Sequence, residues 1–207
     1  NMTDGKSHTD LTFKAEIELY YDLHLPANAH NAPLMIAVHG YGAHKRYMMR
    51  EARAVAPDNY VIAAIQAPHP HYRKVDDGYR IGYGWLSDDR PEQHIRLHHK
   101  FVNDVIDTLT ADGTVDPARV TLYGFSQACA LNFRYAFTYP ARLAAVIRVC
   151  GGIPGDPAAH EKYRPFAART LYIYGDDDEF YTNEKFAENA ATLTQMLPNF
   201  ASKQFHA

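Results

Sequence analysis

Apolar and polar positions along the chain fall into two repeating kinds of segment. Residues 34–38, 60–65, 120–123, 144–149 and 170–174 are short runs of mostly apolar side chains, the pattern of strands buried on both faces of a sheet. Between them lie stretches with apolar residues at three-and-four spacing, the period of an amphipathic helix. The clearest covers residues 91–111, with Ile95, His98, Phe101, Val102, Val105, Ile106 and Leu109 on one stripe. Pro91 suits its first turn and Gly113 lies just past its end. A second covers 127–138 and stops before Pro140. A third covers about 183–197, with Phe186, Ala190, Leu193 and Leu197 as its stripe and Pro198 as its stop. Residues 11–25 alternate with a period of two, Phe13, Ala15, Ile17, Leu19 and Tyr21 against Lys14, Glu16 and Glu18, which predicts an antiparallel edge hairpin or one long strand. Residues 26–33 form a polar turn region. Strands alternating with helices predict an α/β fold, a mainly parallel sheet with helices on both faces. Residues 67–89, rich in Gly, Tyr and His, are expected to form a functional surface loop. No repeat, linker or break in composition divides the chain, so residues 1–207 are expected to form one domain.

Composition narrows the function classes. Of 207 residues, 46% are hydrophobic and 22% charged, the balance of an ordinary globule. A net charge of −3 supplies no basic face for nucleic acid and no polybasic anchor. No apolar run approaches the roughly 18 residues a membrane span needs. The first ten residues are polar and lack the apolar core of a signal peptide; Asn1 before Met2 reads as a tag remnant, with Met2 the natural start. Cys129 and Cys150 do not suggest a disulfide scaffold and are read as buried thiols near the sheet. A cytoplasmic location is expected, a secreted form whose signal has been removed being the alternative.

The candidate chemistry centres on residues 120–128, Val-Thr-Leu-Tyr-Gly-Phe-Ser-Gln-Ala. A serine between small residues, where a strand turns sharply into a helix, is held with its hydroxyl out of the sheet. The helix that follows aims unpaired backbone N–H groups at whatever Ser126 attacks. Alone, the stretch also fits a plain strand–helix turn, so the partners decide. A serine hydroxyl needs a base, and the base a carboxylate, in the chain order Ser, acid, His for this architecture. The run 170–174 ends in Gly175-Asp176-Asp177-Asp178. Asp178 is expected to be the acid, because three residues after Gly175 the chain has turned back toward the rim; Asp176 and Asp177 then fall in the exposed turn. Among histidines only His206 follows Asp178. It is either the base, led in by a strand at 200–205, or a frayed end residue, the base being a histidine beyond residue 207. His39-Gly40-Tyr41-Gly42 follows the first buried run; the backbone N–H groups of Tyr41 and Gln127 are expected to form the oxyanion hole.

These residues, with Gln66-Ala67-Pro68 and Gly84-Trp85-Leu86 in the same order, resemble the phospholipase/carboxylesterase family of α/β-hydrolases, which includes acyl-protein thioesterases. The resemblance runs from about residue 34 to the end. It implies an α/β-hydrolase fold and cleavage of an ester or thioester through an acyl-serine. It matches Ser126 as nucleophile, Asp178 as acid, Tyr41 and Gln127 as oxyanion donors and Trp85 as an aromatic beside the acyl site. Three features depart from the family pattern. Ala128-Cys129 replaces its usual glycines, the base of the family lies further from the acid than His206 does, and the usual closing helix is absent.

His69, His71, His94, His98 and His99 invite a metal reading, but no cysteine or carboxylate completes a ligand set, and no metal is expected; His98 is expected to be half-buried. Tyr72, Tyr79 and Tyr83 with Trp85 form either an apolar wall for a substrate or simple loop packing. The expected function is therefore a serine carboxylesterase for short- to medium-chain esters. It needs no cofactor, and its partner is a small-molecule ester. The alternatives are an acyl-protein thioesterase or lysophospholipase-like hydrolase, and a non-catalytic binder on the same fold. A homodimer remains open.

Overall fold

A computed structural model describes residues 6–206; residues 1–5, with the expected start Met2, and residue 207 lie outside the described residues. Nine strands and four helices follow in the order β1 (Tyr21–His24), β2 (Ala32–Val38), α1 (Lys45–Val55), β3 (Val61–Ile65), β4 (His69–Val75), β5 (Gly78–Gly84), α2 (Pro91–Ala111), β6 (Val115–Phe125), α3 (Gln127–Thr138), β7 (Ala145–Val149), β8 (Arg169–Gly175), α4 (Asn183–Met196) and β9 (Phe200–Phe205). Seven strands form one sheet in the order β1-β3-β2-β6-β7-β8-β9. All its neighbours are parallel except β1, which runs antiparallel to β3. The remaining two form a separate hairpin, β4-β5.

The apolar runs are strands because both of their faces are buried. On one face Leu34, Ile36, Val38, Val61, Ala63, Ile65, Leu122 and Val146 meet the stripes of α2, α3 and α4 in a single cluster. On the other, Met35, Ala37, Ile62, Ala64 and Tyr123 meet Met48 and Ala52 of α1. Residues one apart on a strand thus serve different helices, as a period of two requires. Past Val55, the last residue of α1, the same face carries a trough of about 510 Å³ over Ile147, Leu171 and Ala201.

Three elements differ from the sequence expectation. Only Tyr21–His24 of residues 11–25 is a strand, paired residue for residue with Ile62 to Ile65. Its partner β3 is five residues long; the ladder ends where the Gln66 N–H donates to the Tyr20 carbonyl at 2.9 Å, and further back Leu11, Phe13 and Ile17 are exposed. Residues 67–89 are largely the β4-β5 hairpin rather than an irregular loop. Its strands are mostly exposed, so they lack apolar alternation. Finally, α1 is a helix in a stretch dominated by Lys45, Arg46, Arg50, Glu51 and Arg53, whose apolar side is only Met48 and Ala52 at full burial.

Candidate active site

Strand β6 delivers Ser126 to the carboxyl end of the sheet, in the middle of the strand order. Its backbone sits at φ 53, ψ −120, a region costing a non-glycine residue on the order of 1–3 kcal/mol and persisting only where the surroundings enforce it. Here the Ser126 N–H donates to the Val149 carbonyl at 3.0 Å and the Ser126 carbonyl accepts from Cys129 N–H at 3.0 Å. Two glycines close in around it. A Cβ on Gly40 would lie 3.0 Å from Ser126 Cβ and 3.1 Å from the Phe125 carbonyl; one on Gly151 would lie 2.4 Å from the Ser126 carbonyl and 2.5 Å from Cys129 Sγ. Gly151→Ala is accordingly expected to lose about 1–3 kcal/mol of stability and to displace the serine enough to lower turnover by roughly 10²-fold, read as an unfolding midpoint and a kcat; an unchanged kcat would show that the elbow tolerates the shift.

The serine itself is half-buried, and among the described residues its Oγ makes no hydrogen bond. Tyr41 N–H likewise donates to no protein acceptor among the described residues. The Tyr41 side chain is exposed and stacks on His71 at 4.6 Å between ring centroids. Gln127 is the first residue of α3, so its N–H belongs to the turn that has no intrahelical acceptor.

The loop carrying Tyr41 is pinned from below by a set of groups that sequence reasoning did not identify. His39 is fully buried. Its Nε2 lies 3.0 Å from both the Ala67 N–H and Gln66 Nε2, and its Nδ1 lies 2.8 Å from the Gly40 carbonyl. Two donors at Nε2 assign the proton to Nδ1, which donates to Gly40. Burial holds the His39 pKa down to about 4, so the ring is neutral at pH 7. Trp85, which the family resemblance puts beside the acyl site, is buried to 1% exposure. Its indole N–H donates to the His39 carbonyl at 2.9 Å, and its backbone N–H donates to Gln127 Oε1 at 3.1 Å. Trp85 is thus a strut joining the glycine loop, the end of the hairpin and the serine helix, not an open wall. The signal for His39 was its place directly after a buried strand; nothing in the sequence showed where its ring points.

Asp178 and His206 are not joined to each other. Asp178 Oδ1 accepts from the Phe180 and Tyr181 N–H groups at 2.9 and 3.0 Å, and its carboxylate helps burial to push the Cys150 thiol up. Cys150 follows Val149, the acceptor of Ser126 N–H, so Asp178 and Ser126 share one rim. His206 follows β9 as expected, but its Nδ1 meets Asp176 Oδ2 at 2.6 Å, with the imidazole 86% exposed. The carboxylate expected to be a bystander is therefore the one that holds this histidine.

The remaining candidates separate. Tyr72 and Tyr79 pair with each other in T-shaped fashion on the exposed hairpin, and Tyr83 exchanges backbone hydrogen bonds with Gly42 and Ala43. His69 lies against His94 at 4.5 Å between centroids. His98 is fully buried rather than half-buried, against Trp85 and His99. Among the described residues no group of three metal-ligating side chains forms, and no helix is long and apolar enough to cross a membrane. Cys129 is buried, Cys150 half-buried, and both are free thiols.

Neutral buried histidines link stability to pH. Burial lowers His39 and His99 from 6.5 to about 4 and His98 well below 6.5. Unfolded, each takes a proton as pH falls through 6.5; folded, His39 and His99 do so only near 4. Stability is therefore full above pH 6.5 and lost between about 6.5 and 4, by about 3 kcal/mol for each of those two residues. The urea midpoint should fall steeply between pH 7 and 4.5, and less steeply in His99→Phe; a midpoint constant over that range would contradict the buried neutral rings.

A serine strained into a strand-to-helix turn at the carboxyl end of a mainly parallel sheet, with a glycine loop against it, defines an α/β-hydrolase. The chain belongs to the phospholipase/carboxylesterase family, whose sequence profile matches residues 25–207. NocK of Nocardia uniformis subsp. tsuyamanensis, a protein named as an esterase, is 30% identical over 153 residues, which are 74% of this chain and 42% of NocK. The chain thus spans about two fifths of that relative's length. Among solved structures, esterase PE8 superposes with a TM-score of 0.69 at 21% identity, covering 92% of this chain and 89% of its own. A carboxylesterase from Mesorhizobium loti gives 0.69 at 18%, covering 90% and 85%. Acyl-protein thioesterase 2 of Zea mays gives 0.66 at 15%, covering 91% and 90%. At these identities the likeness to the solved structures is one of fold.

Proposed function

We propose that the protein is a serine carboxylesterase acting on short- to medium-chain esters through an acyl-serine intermediate. The observation that carries this reading is Ser126 itself, a non-glycine residue kept at positive φ, with its hydroxyl unengaged among the described residues and the glycine loop packed against it. In the proposed reaction Ser126 Oγ attacks the ester carbonyl while an imidazole takes its proton. The carbonyl oxygen, now an anion, rests on the backbone N–H groups of Tyr41 and Gln127, aligned before the reaction begins. The tetrahedral intermediate expels the alcohol, which receives the proton back. Water, deprotonated by the same imidazole, then releases the acid. Asp178 is the proposed acid of the triad, since its two backbone N–H donors fix one carboxylate oxygen and leave the other to orient an imidazole. His206 is the candidate base that follows it in the sequence, and to serve Ser126 its ring must leave Asp176.

The test is covalent trapping. A fluorophosphonate should attach to Ser126 Oγ, and p-nitrophenyl butyrate should protect against it. Absence of any adduct would favour a non-catalytic binder on this fold. The likeness to a plant acyl-protein thioesterase favours thioester cleavage as a second reading. Rates on a palmitoyl-thioester peptide and on p-nitrophenyl butyrate decide between the two, the ester being the faster substrate under the proposal.

A further inference from the structure

Away from Ser126, the outer faces of α2 and α3 and the segment around Tyr163 enclose a cavity of about 530 Å³, within the size range of small-molecule sites. Its charge balance is uneven. Arg96, Arg134 and Lys162 line it without an acidic partner among the described residues, while Lys100 is neutralised by Asp104 and only Glu92 opposes the rest. The surplus of two positive charges matches one phosphoryl dianion.

Two polar atoms in the wall are buried and unsatisfied. Arg134 donates from Nη1 to Tyr163 Oη at 2.7 Å, yet its Nε has no acceptor. His99 is 93% buried, from an exposure of 7%, and its Nε2 also lacks a partner. A buried donor or acceptor left unpaired costs about 1–3 kcal/mol, so both are placed where a ligand would repay them. His99 is neutral, its charged form disfavoured by burial and by the neighbouring Arg134, and its ring proton goes to the Leu131 carbonyl; its free Nε2 is therefore an acceptor, suited to a hydroxyl or amine of the carrier and not to the phosphoryl oxygens. The third element is a flat platform, His160 stacked on Tyr163 at 4.0 Å between ring centroids. Arg134 follows Ser126 by two turns of α3, ~12 Å along its axis, so the cavity is separate from the ester site.

We propose that this cavity binds a phosphoryl group, with Arg134 and Lys162 as its main cationic contacts and the Tyr163 platform beside it for an organic carrier. The experiment is calorimetric titration of the full chain with inorganic phosphate, AMP and adenosine at constant ionic strength. Saturable binding of phosphate or AMP, but not of adenosine, is expected. Arg134→Gln should weaken it at least tenfold, and Lys162→Ala, on an exposed segment, severalfold. Ser126→Ala should leave it unchanged, and both cavity variants should keep the ester turnover of the unaltered chain. Phosphate binding as tightly as AMP would identify the free anion as occupant, and AMP alone a phosphate ester; either upholds the phosphoryl site. No saturable binding, binding indifferent to both cavity variants, or binding lost in Ser126→Ala would overturn it. Because these readouts are independent of ester cleavage, the site stands or falls apart from the proposed activity.

Discussion

Replacing Ser126 by alanine will lower turnover of p-nitrophenyl butyrate by roughly 10⁴-fold or more, the scale on which loss of an activated nucleophile acts. The fold should be untouched, because the hydroxyl makes no hydrogen bond among the described residues that the change would break. Ser126→Gly sharpens the result. Alanine keeps a Cβ at φ 53 and so keeps the strain, whereas glycine occupies that region freely. The glycine variant should therefore be as inactive as the alanine one and yet unfold at a higher temperature, by the part of the 1–3 kcal/mol of strain that is released. A serine that served only as a strand–helix turn would show the gain in stability with no loss of turnover. Undiminished turnover in both variants refutes the proposed nucleophile.

What the sequence disclosed and what it hid divide along burial. Each strand of the central sheet that is covered on both faces was legible, because enclosure removes polar residues from it: Leu34 to Val38 and Val61 to Ile65 are buried throughout. Helices α2, α3 and α4 were legible from stripes broad enough to show their period. Helix α1 was not, since Lys45, Arg46, Arg50, Glu51 and Arg53 crowd the two residues it buries, Met48 and Ala52. The β4-β5 hairpin was hidden for the opposite reason, as its exposed strands have no apolar side to alternate with. Its turn, Asp76-Asp77 before Gly78, was the overlooked signal. In residues 11–19 the alternation was real but meets no strand among the described residues, the ladder ending at the Gln66 N–H bond to the Tyr20 carbonyl.

The same division holds at the site. Ser126 and the glycine loop could be read because a tight turn demands small residues at fixed offsets. His39 could not be assigned, because its work is done by a ring turned inward onto Gln66 and Ala67, contacts that bring together residues 27 and 28 positions apart. For Trp85, grouped with Tyr72, Tyr79 and Tyr83, the sequence left an apolar wall and simple loop packing both open. The Trp85 indole N–H finds a buried carbonyl, the usual requirement of an enclosed tryptophan.

Which of three consecutive carboxylates serves the reaction depends on a turn whose backbone no residue pattern specifies, and this yields the second large effect. Asp178→Asn is expected to lower turnover by about 10³–10⁴-fold, as loss of the charge that orients and stabilises an imidazolium does. Asp176→Asn should change it by less than about fivefold, because the imidazole that Asp176 meets is 86% exposed and a pair with so solvated a member is worth at most about 1 kcal/mol. Both carboxylates are half-buried, and the contrast rests on their partners: Asp178 is clamped by two backbone N–H groups and set behind the serine beside Cys150, whereas Asp176 meets that exposed imidazole. His206→Gln completes the set. A loss as large as that of Asp178→Asn would make His206 the base, its ring exchanging Asp176 for Asp178 when substrate binds; unchanged turnover would remove His206 from the reaction. If instead Asp176→Asn proves the damaging change and Asp178→Asn the silent one, the pairing of Asp176 with His206 is itself the catalytic arrangement and the role proposed for Asp178 fails.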